Sequence, residues 1–349
     1  MKVLIRADAS ATIGTGHVMR CAALGMRLMA YGVSVHFICI DLYDGLAAWL
    51  RARNFDLTVL SANDIDNWRT DLYATQKVAS KIGRVDLLIV DHYELNQLWE
   101  SGMRTHARRI MVVDDLADRN HDCDLLLDQN LHEDAQNRYK QRIPKDALPF
   151  LGPKYALLRT EFDKEGLERI RDGSVRRLLI FFGGTDPGNQ TIKVIHALKA
   201  LGSRAPQSDI VLGPSNPYRD IVHKATVDMT NVNVLDATDQ MSILMMQADL
   251  AIGTCGVAAW ERCALGLPTL VVVTAENQRE DAELLHRMGA VEYLGDADEV
   301  NNEVWIGAIL KAISNSDYVC DMASSAQKVM AGRKEAVAEL EKVLINGML

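Results

Sequence analysis

MKVLIRADASATIGTGHVMRC, residues 1–21, joins a strand, a glycine turn and a helix start in one stretch. Lys2 to Arg6 reads as a short buried strand. Asp8 to Gly16 is a loop of small residues ending in Gly14-Thr15-Gly16. His17 then stands at the mouth of a helix whose apolar positions include Val18, Met19, Cys21, Leu24 and Leu28. Free N–H groups and the dipole at a helix start favour an anion, and glycines let a phosphate approach the backbone. His17 adds a titratable imidazole there, which points to chemistry on a phosphorylated substrate. The bland alternative is a capping or solvated histidine. A second rival is a dinucleotide fingerprint, with Asp41 closing the next strand as the ribose acid. That fingerprint needs a tight turn and a third glycine, and Met19 occupies the glycine's place.

Outward from this stretch, the rhythm repeats. Strand-like runs at 34–40, 56–60, 86–90, 109–113 and 125–127 alternate with helical patterns at 18–30, 44–53, 71–82 and 96–106. This is the pattern of an open parallel sheet. Residues 131–153 lose the rhythm, are polar, carry Pro144, Pro149 and Pro153, and read as a connector. The rhythm restarts at 177–182 and continues through strands near 209, 232, 250, 269 and 291. The expected fold class is therefore α/β, with two doubly wound Rossmann-like domains, 1–160 and 161–349, facing across a cleft. The last helix, near 333–345, is amphipathic and suited to covering a core face. Ligands in such sheets bind beyond the carboxyl ends of strands, so the loops after strands matter most.

Three such loops in the second half have chemical character. Phe182-Gly183-Gly184-Thr185-Asp186-Pro187 suits a phosphate or sugar contact through Gly184 and Thr185; Thr185 or Asp186 equally suits a helix cap. Gly253-Thr254-Cys255-Gly256 leads directly into a helix and forms a second candidate anion site, with Glu261 placed to reach a ribose diol. Asn277 and Gln278 present adjacent amides that suit sugar hydroxyls or acetamido groups, or a cap. In the first half, Asp91-His92-Tyr93 ends a strand at the carboxyl edge. Asp114-Asp115 ends the next, where a turn with a cap competes with a divalent metal; no metal is assigned.

Composition narrows the classes. The 349 residues suffice for two domains. The 38 basic and 47 acidic residues give a net charge of -9 with no basic stripe, which argues against nucleic acid. Apolar runs are strand-length, so no membrane span is expected. The opening on a strand leads us to expect no signal peptide and a cytoplasmic protein. Six scattered cysteines form no CxxC pair, which disfavours zinc and disulfides.

Taken in order, RADASxxIGTGHVMRC, DHYxLxxxWE, VVDDLADRxHxCDLLLDQN, LGPKYALLRxEF, FFGGTDP and WERCALGLPTLVVVTAENQ resemble the UDP-sugar hydrolases of pseudaminic acid biosynthesis, over residues 1 to about 289. The resemblance implies a GT-B fold, related to the glycosyltransferase that adds N-acetylglucosamine to lipid II. It implies that UDP-2,4-diacetamido-2,4,6-trideoxy-β-L-altropyranose and water give the free sugar and UDP, without a cofactor. It also implies residue roles. His17 becomes the catalytic base, Gly14 to Gly16 and Gly253 to Gly256 the diphosphate loops, Glu261 the ribose acid, and Tyr93 and Asn277 sugar contacts. The family's second loop is often serine-rich, whereas this chain carries Cys255, Val257 and Ala258 there, so backbone N–H groups must hold the phosphates. The acetyltransferase fused to some relatives is not expected here. A glycosyltransferase using the same donor, and a non-catalytic nucleotide-sugar binding module, remain the rivals.

Overall fold

Strand β1 (Lys2–Ala7) is buried along nearly its whole length, with the apolar run Val3–Ile5 at its centre, as a strand covered on both faces must be. The computed structural model describes residues 1–9, 14–163, 169–213 and 215–348. In chain order the first unit continues through α1 (Gly16–Met29), β2 (Ser34–Ile40), α2 (Asp44–Ala52), β3 (Asp56–Leu60), α3 (Trp68–Ile82), β4 (Val85–Asp91), α4 (Gln97–Met103), β5 (Ala107–Val113), β6 (Leu125–Asp128), α5 (Ala135–Arg138) and β7 (Leu148–Leu151). Among the described residues these strands form a seven-stranded sheet in the order β3-β2-β1-β4-β5-β6-β7, and every neighbouring pair is parallel.

The second unit contains β8 (Arg177–Phe181), α6 (Gln190–Leu201), β9 (Gln207–Leu212), α7 (Arg219–Thr226), β10 (Val232–Asp236), α8 (Met241–Gln247), β11 (Leu250–Thr254), α9 (Val257–Ala264), β12 (Thr269–Val273), α10 (Arg279–Arg287), β13 (Glu292–Asp296), α11 (Asn302–Ser314) and α12 (Ser316–Val329). Its described strands run β10-β9-β8-β11-β12-β13, again all parallel. Both orders reverse direction beside the first strand of the unit, at β1/β4 and at β8/β11. That reversal is the topological switch point of a doubly wound sheet, and it opens a crevice at the strand ends.

Two expectations need correction. The connector 131–153 contains a strand, β7, which pairs with β6 from Leu125↔Leu148 to Asp128↔Leu151. Pro149 hid it, because proline lacks a ladder donor; β7 is an edge strand, where one missing donor is tolerated. The last helix, α13 (Arg333–Met348), belongs to the first unit rather than the second. The chain divides into Met1–Thr160 with Gly332–Leu349, and Glu161–Ala331. Ala336, Leu340 and Leu344 are buried in the core that holds Val3, Ile5, Val18 and Leu24. Arg27 Nη1 reaches Glu341 at 2.9 Å, and Arg109 Nη1 donates to the Val343 carbonyl at 3.1 Å.

Candidate active site

At the switch point of the first unit, the loop after β1 meets the end of β4. Residues 10–13 of that loop lie outside the described residues. Its first part is pinned by Arg6, whose fully buried guanidinium grips Asp8 on one side and Asp71 on the other. Asp8 also accepts from the Ile40 backbone at 2.7 Å and faces His92 Nε2 at 3.0 Å. At its far end Gly14 has φ +73, the left-handed region that favours glycine. The chain then turns into α1, which starts at Gly16 and carries no acidic side chain in its first turn. Asp41, the acid that a dinucleotide reading requires, instead accepts from the Ala62 backbone at 3.1 Å.

His17, one residue into α1, is only 5% exposed. Its Nδ1 lies 2.8 Å from Asp91 Oδ1, at the end of β4. An ionised carboxylate only accepts, so Nδ1 carries the proton and Nε2 keeps the lone pair. The ring meets Tyr93 edge to face, with centroids 4.5 Å apart. Burial pulls the imidazole pKa down, but the charge and hydrogen bond of Asp91 outweigh it, and the net shift is upward from 6.5. Asp91 itself is fully buried. Burial would raise its pKa, yet Arg20 and His17 hold it well below the usual carboxylate range.

Arg20, one turn along α1, locks this arrangement. Its Nε and Nη2 reach the two Asp91 oxygens at 2.6 and 2.7 Å, and its Nη1 and Nη2 reach the two Asp115 oxygens at 2.8 and 2.9 Å. Such double forks fix geometry as well as charge. Asp115 also accepts from Tyr93 Oη at 3.2 Å and Asn130 Nδ2 at 2.9 Å. Asp114 accepts from the Ala117 backbone at 2.8 Å, pairs with Arg119 at 3.0 Å and faces His121 Nε2 at 3.8 Å. The two acids weighed as a metal pair are thus engaged by arginine, histidine, tyrosine and backbone donors. His121 is buried between Asp114 and Glu100; burial opposes its charge, but the two acids raise its pKa to about 9.

At the switch point of the second unit, the loop after β8 lies beside the end of β11. Asp186 (φ +45) accepts from the Gln190 and Thr191 backbones at 2.8 and 3.0 Å, so of the two cap candidates it is the one that caps α6. Gly184 lies in that loop against Gly213, where an added Cβ would stand 2.1 Å from the Gly184 carbonyl. Gly253 also answers to crowding: its Cβ would stand 2.3 Å from the Phe181 carbonyl of the neighbouring strand. Gly256 is the residue before α9, and Gln278 Nε2 lies 3.8 Å from its Cβ position. Glu261 is buried in α9 at 4% exposure, while Asn277, after β12, is exposed.

The structure therefore gathers Gly14, Gly16, His17 and Tyr93 at one switch point. It gathers Gly184, Gly253 and Gly256 at the other, with Glu261 on the helix that follows and Asn277 one strand over. Two residues were missed. Arg20 lay inside the quoted stretch without being singled out, and Asp91 was noted at a strand edge but not as the partner of His17. The doubly wound order carried the signal, since it makes the first and fourth strands neighbours.

Residues 178–340 match the glycosyltransferase family 28 C-terminal domain. The chain is 27% identical over 287 residues to the uncharacterized protein MJ1062 of Methanocaldococcus jannaschii, covering 80% of this chain and 57% of that protein. It is 27% identical over 165 residues to the spore coat polysaccharide biosynthesis protein SpsG of Bacillus subtilis, covering 47% and 49%. The chain thus spans about half the length of these two relatives. It is 26% identical over 301 residues to a UDP-2,4-diacetamido-2,4,6-trideoxy-beta-L-altropyranose hydrolase of Campylobacter jejuni, covering 84% and 99%. Among solved structures, Acinetobacter baumannii MurG superposes with TM-score 0.63 at 14% identity over 99% of each chain. Phytolacca americana UGT2, solved with UDP-2fluoro-glucose and pterostilbene, superposes with TM-score 0.67 at 13% identity over 99% and 98%. No described helix is long and apolar enough to cross a membrane. The fold is GT-B, and the chain is similar over most of its length to one nucleotide-sugar hydrolase.

Proposed function

We propose that the protein is a nucleotide-sugar hydrolase. It takes UDP-2,4-diacetamido-2,4,6-trideoxy-β-L-altropyranose, or a close diacetamido-trideoxy sugar, to the free sugar and UDP in the cytoplasm, without metal or cofactor. The observation that carries this reading is the buried His17–Asp91 pair at the mouth of α1. With Nδ1 committed to Asp91, Nε2 accepts a proton from water. The water oxygen bonds to the anomeric carbon, and the bond from that carbon to the diphosphate oxygen breaks with its electron pair going to UDP. Direct displacement inverts the anomeric centre. A general base contributes ~100- to 10,000-fold.

The remaining residues take supporting roles. Gly14 and Gly16 with the start of α1, and Gly184, Gly253 and Gly256 with the start of α9, offer backbone donors to phosphates. Glu261 holds the ribose, and Tyr93 and Asn277 contact the sugar. The similarity to the Campylobacter jejuni hydrolase along nearly that protein's full length supports hydrolysis. A second reading, transfer of the sugar to an acceptor hydroxyl, draws on the glycosyltransferases among the structural neighbours.

Incubation with the UDP-sugar in ¹⁸O-water, followed by NMR and mass spectrometry, tests the reading. Labelled free sugar of inverted anomeric configuration, formed without an acceptor, is expected. Turnover only after an acceptor is added would establish the transferase instead. Label in UDP would mean attack at phosphorus.

A further inference from the structure

The second unit buries a charge that this chemistry leaves unused. Arg262, in α9, is 2% exposed. Its Nη2 donates to the Thr254 carbonyl, at the end of β11. Its Nη1 lies 3.2 Å from the place a Gly253 Cβ would take, so the absent side chain makes room for the guanidinium. Its Nε is buried without a hydrogen-bond partner. Among the described residues Arg262 forms no ion pair.

Arg333, buried in the first unit, likewise gives one donor to a carbonyl and leaves Nη2 without a hydrogen-bond partner, but the arginines with carboxylate or full carbonyl partners differ. Arg6 and Arg20 are each clamped by two carboxylates. Arg171, which also lacks a carboxylate, spends its donors on the carbonyls of Met245, Ala248, Leu265 and Gly266. That is how an arginine used purely as a staple looks. Arg262 keeps one donor idle and has no ion pair among the described residues; burial lowers its pKa against the smaller upward pull of Cys255, Cys263 and Glu261. A buried cation without a counter-ion destabilises the free protein. An anion arriving at the adjacent turn reverses that cost.

We infer that Arg262 is a positioning residue of the diphosphate site: its charge lies beside the Gly253–Gly256 turn, holds the Thr254 carbonyl, and draws a nucleoside diphosphate onto the turn's N–H groups. It compensates for the hydroxyls that Cys255, Val257 and Ala258 do not supply. The inference rests on reading that turn as the UDP site.

The test compares UDP with uridine by calorimetry on wild type, Arg262→Met and Arg262→Lys, with ligand-free melting curves. The Met variant is expected to melt no lower than wild type, to bind UDP at least tenfold more weakly, and to bind uridine within twofold. The Lys variant should recover most of the preference for UDP. Equal loss of UDP and uridine together with a lower melting temperature would make Arg262 a staple and overturn the inference. So would an unchanged UDP preference in the Met variant, or a Lys variant that behaves like Met. Should Met not fold, Arg262→Gln takes its place in the same comparison. Wild type that binds neither ligand defeats the nucleotide reading itself, and the inference with it.

Discussion

Replacing Asp91 with asparagine changes one atom at the centre of the candidate site. Asp91 Oδ1 receives His17 Nδ1 at 2.8 Å, and its two oxygens receive Arg20 at 2.6 and 2.7 Å. Asparagine has a single acceptor oxygen. Arg20, which is always a donor, claims it. The amide NH₂ then faces His17, whose Nδ1 must become the acceptor. The proton moves to Nε2, and the base has the wrong tautomer. The carboxylate charge that raises the imidazole pKa most disappears as well, while burial and the Arg20 charge still pull it down. The full general-base contribution is at stake, ~100- to 10,000-fold in kcat, or about 2.7–5.4 kcal/mol. Folding should survive, because Arg20 keeps both bonds to Asp115 at 2.8 and 2.9 Å. Initial rates of UDP release across pH 5–9 read the effect, with KM for the UDP-sugar little changed. In wild type, activity should fall as pH drops through a value above 6.5, where His17 gains its second proton. A folded Asp91→Asn protein with kcat within threefold of wild type would refute the argument.

Other outcomes follow from the same geometry. Glu261→Ala should weaken UDP binding by ~1.5–3 kcal/mol, as for a hydrogen bond to a charged group, read by calorimetry. Leu340→Ala, in the helix that closes the first unit's core, should cost ~2–5 kcal/mol of that unit's stability by chemical denaturation. His121, whose pKa the Asp114 and Glu100 carboxylates raise to about 9 against the pull of burial, stabilises the fold fully below pH 6.5. That stability should drain away as pH rises through about 9, and His121→Asn should flatten the dependence in denaturation series at pH 6 to 10.

The strands and the helix starts were legible because their signals are local. A run such as Thr269–Val273 can only be a covered strand, and Gly14 and Gly256 precede helices in the sequence as they do in the fold. What escaped depends on partners distant in the chain. Asp91 meets His17 across 74 residues, and Asp115 meets Arg20 across 95. Nothing in their immediate neighbours marks these pairs. β7 escaped for the opposite reason: Pro149 is a strong local signal against a strand, overruled by its position at a sheet edge. The home of α13 could not be read from its amphipathic pattern, since either core offers an apolar face.

That final helix makes the second unit an insertion within the first. The polypeptide passes between units twice, near Thr160 and near Gly332, and the first unit is assembled from two pieces of chain. During synthesis, residues 1–160 emerge early but wait for 332–349 to complete their core. The uninterrupted segment 161–331 has all its own strands and helices first. The usual N-to-C order of domain folding is thereby inverted for completion of the core. His17, near the start of the chain, gains its finished scaffold only when the last helix docks.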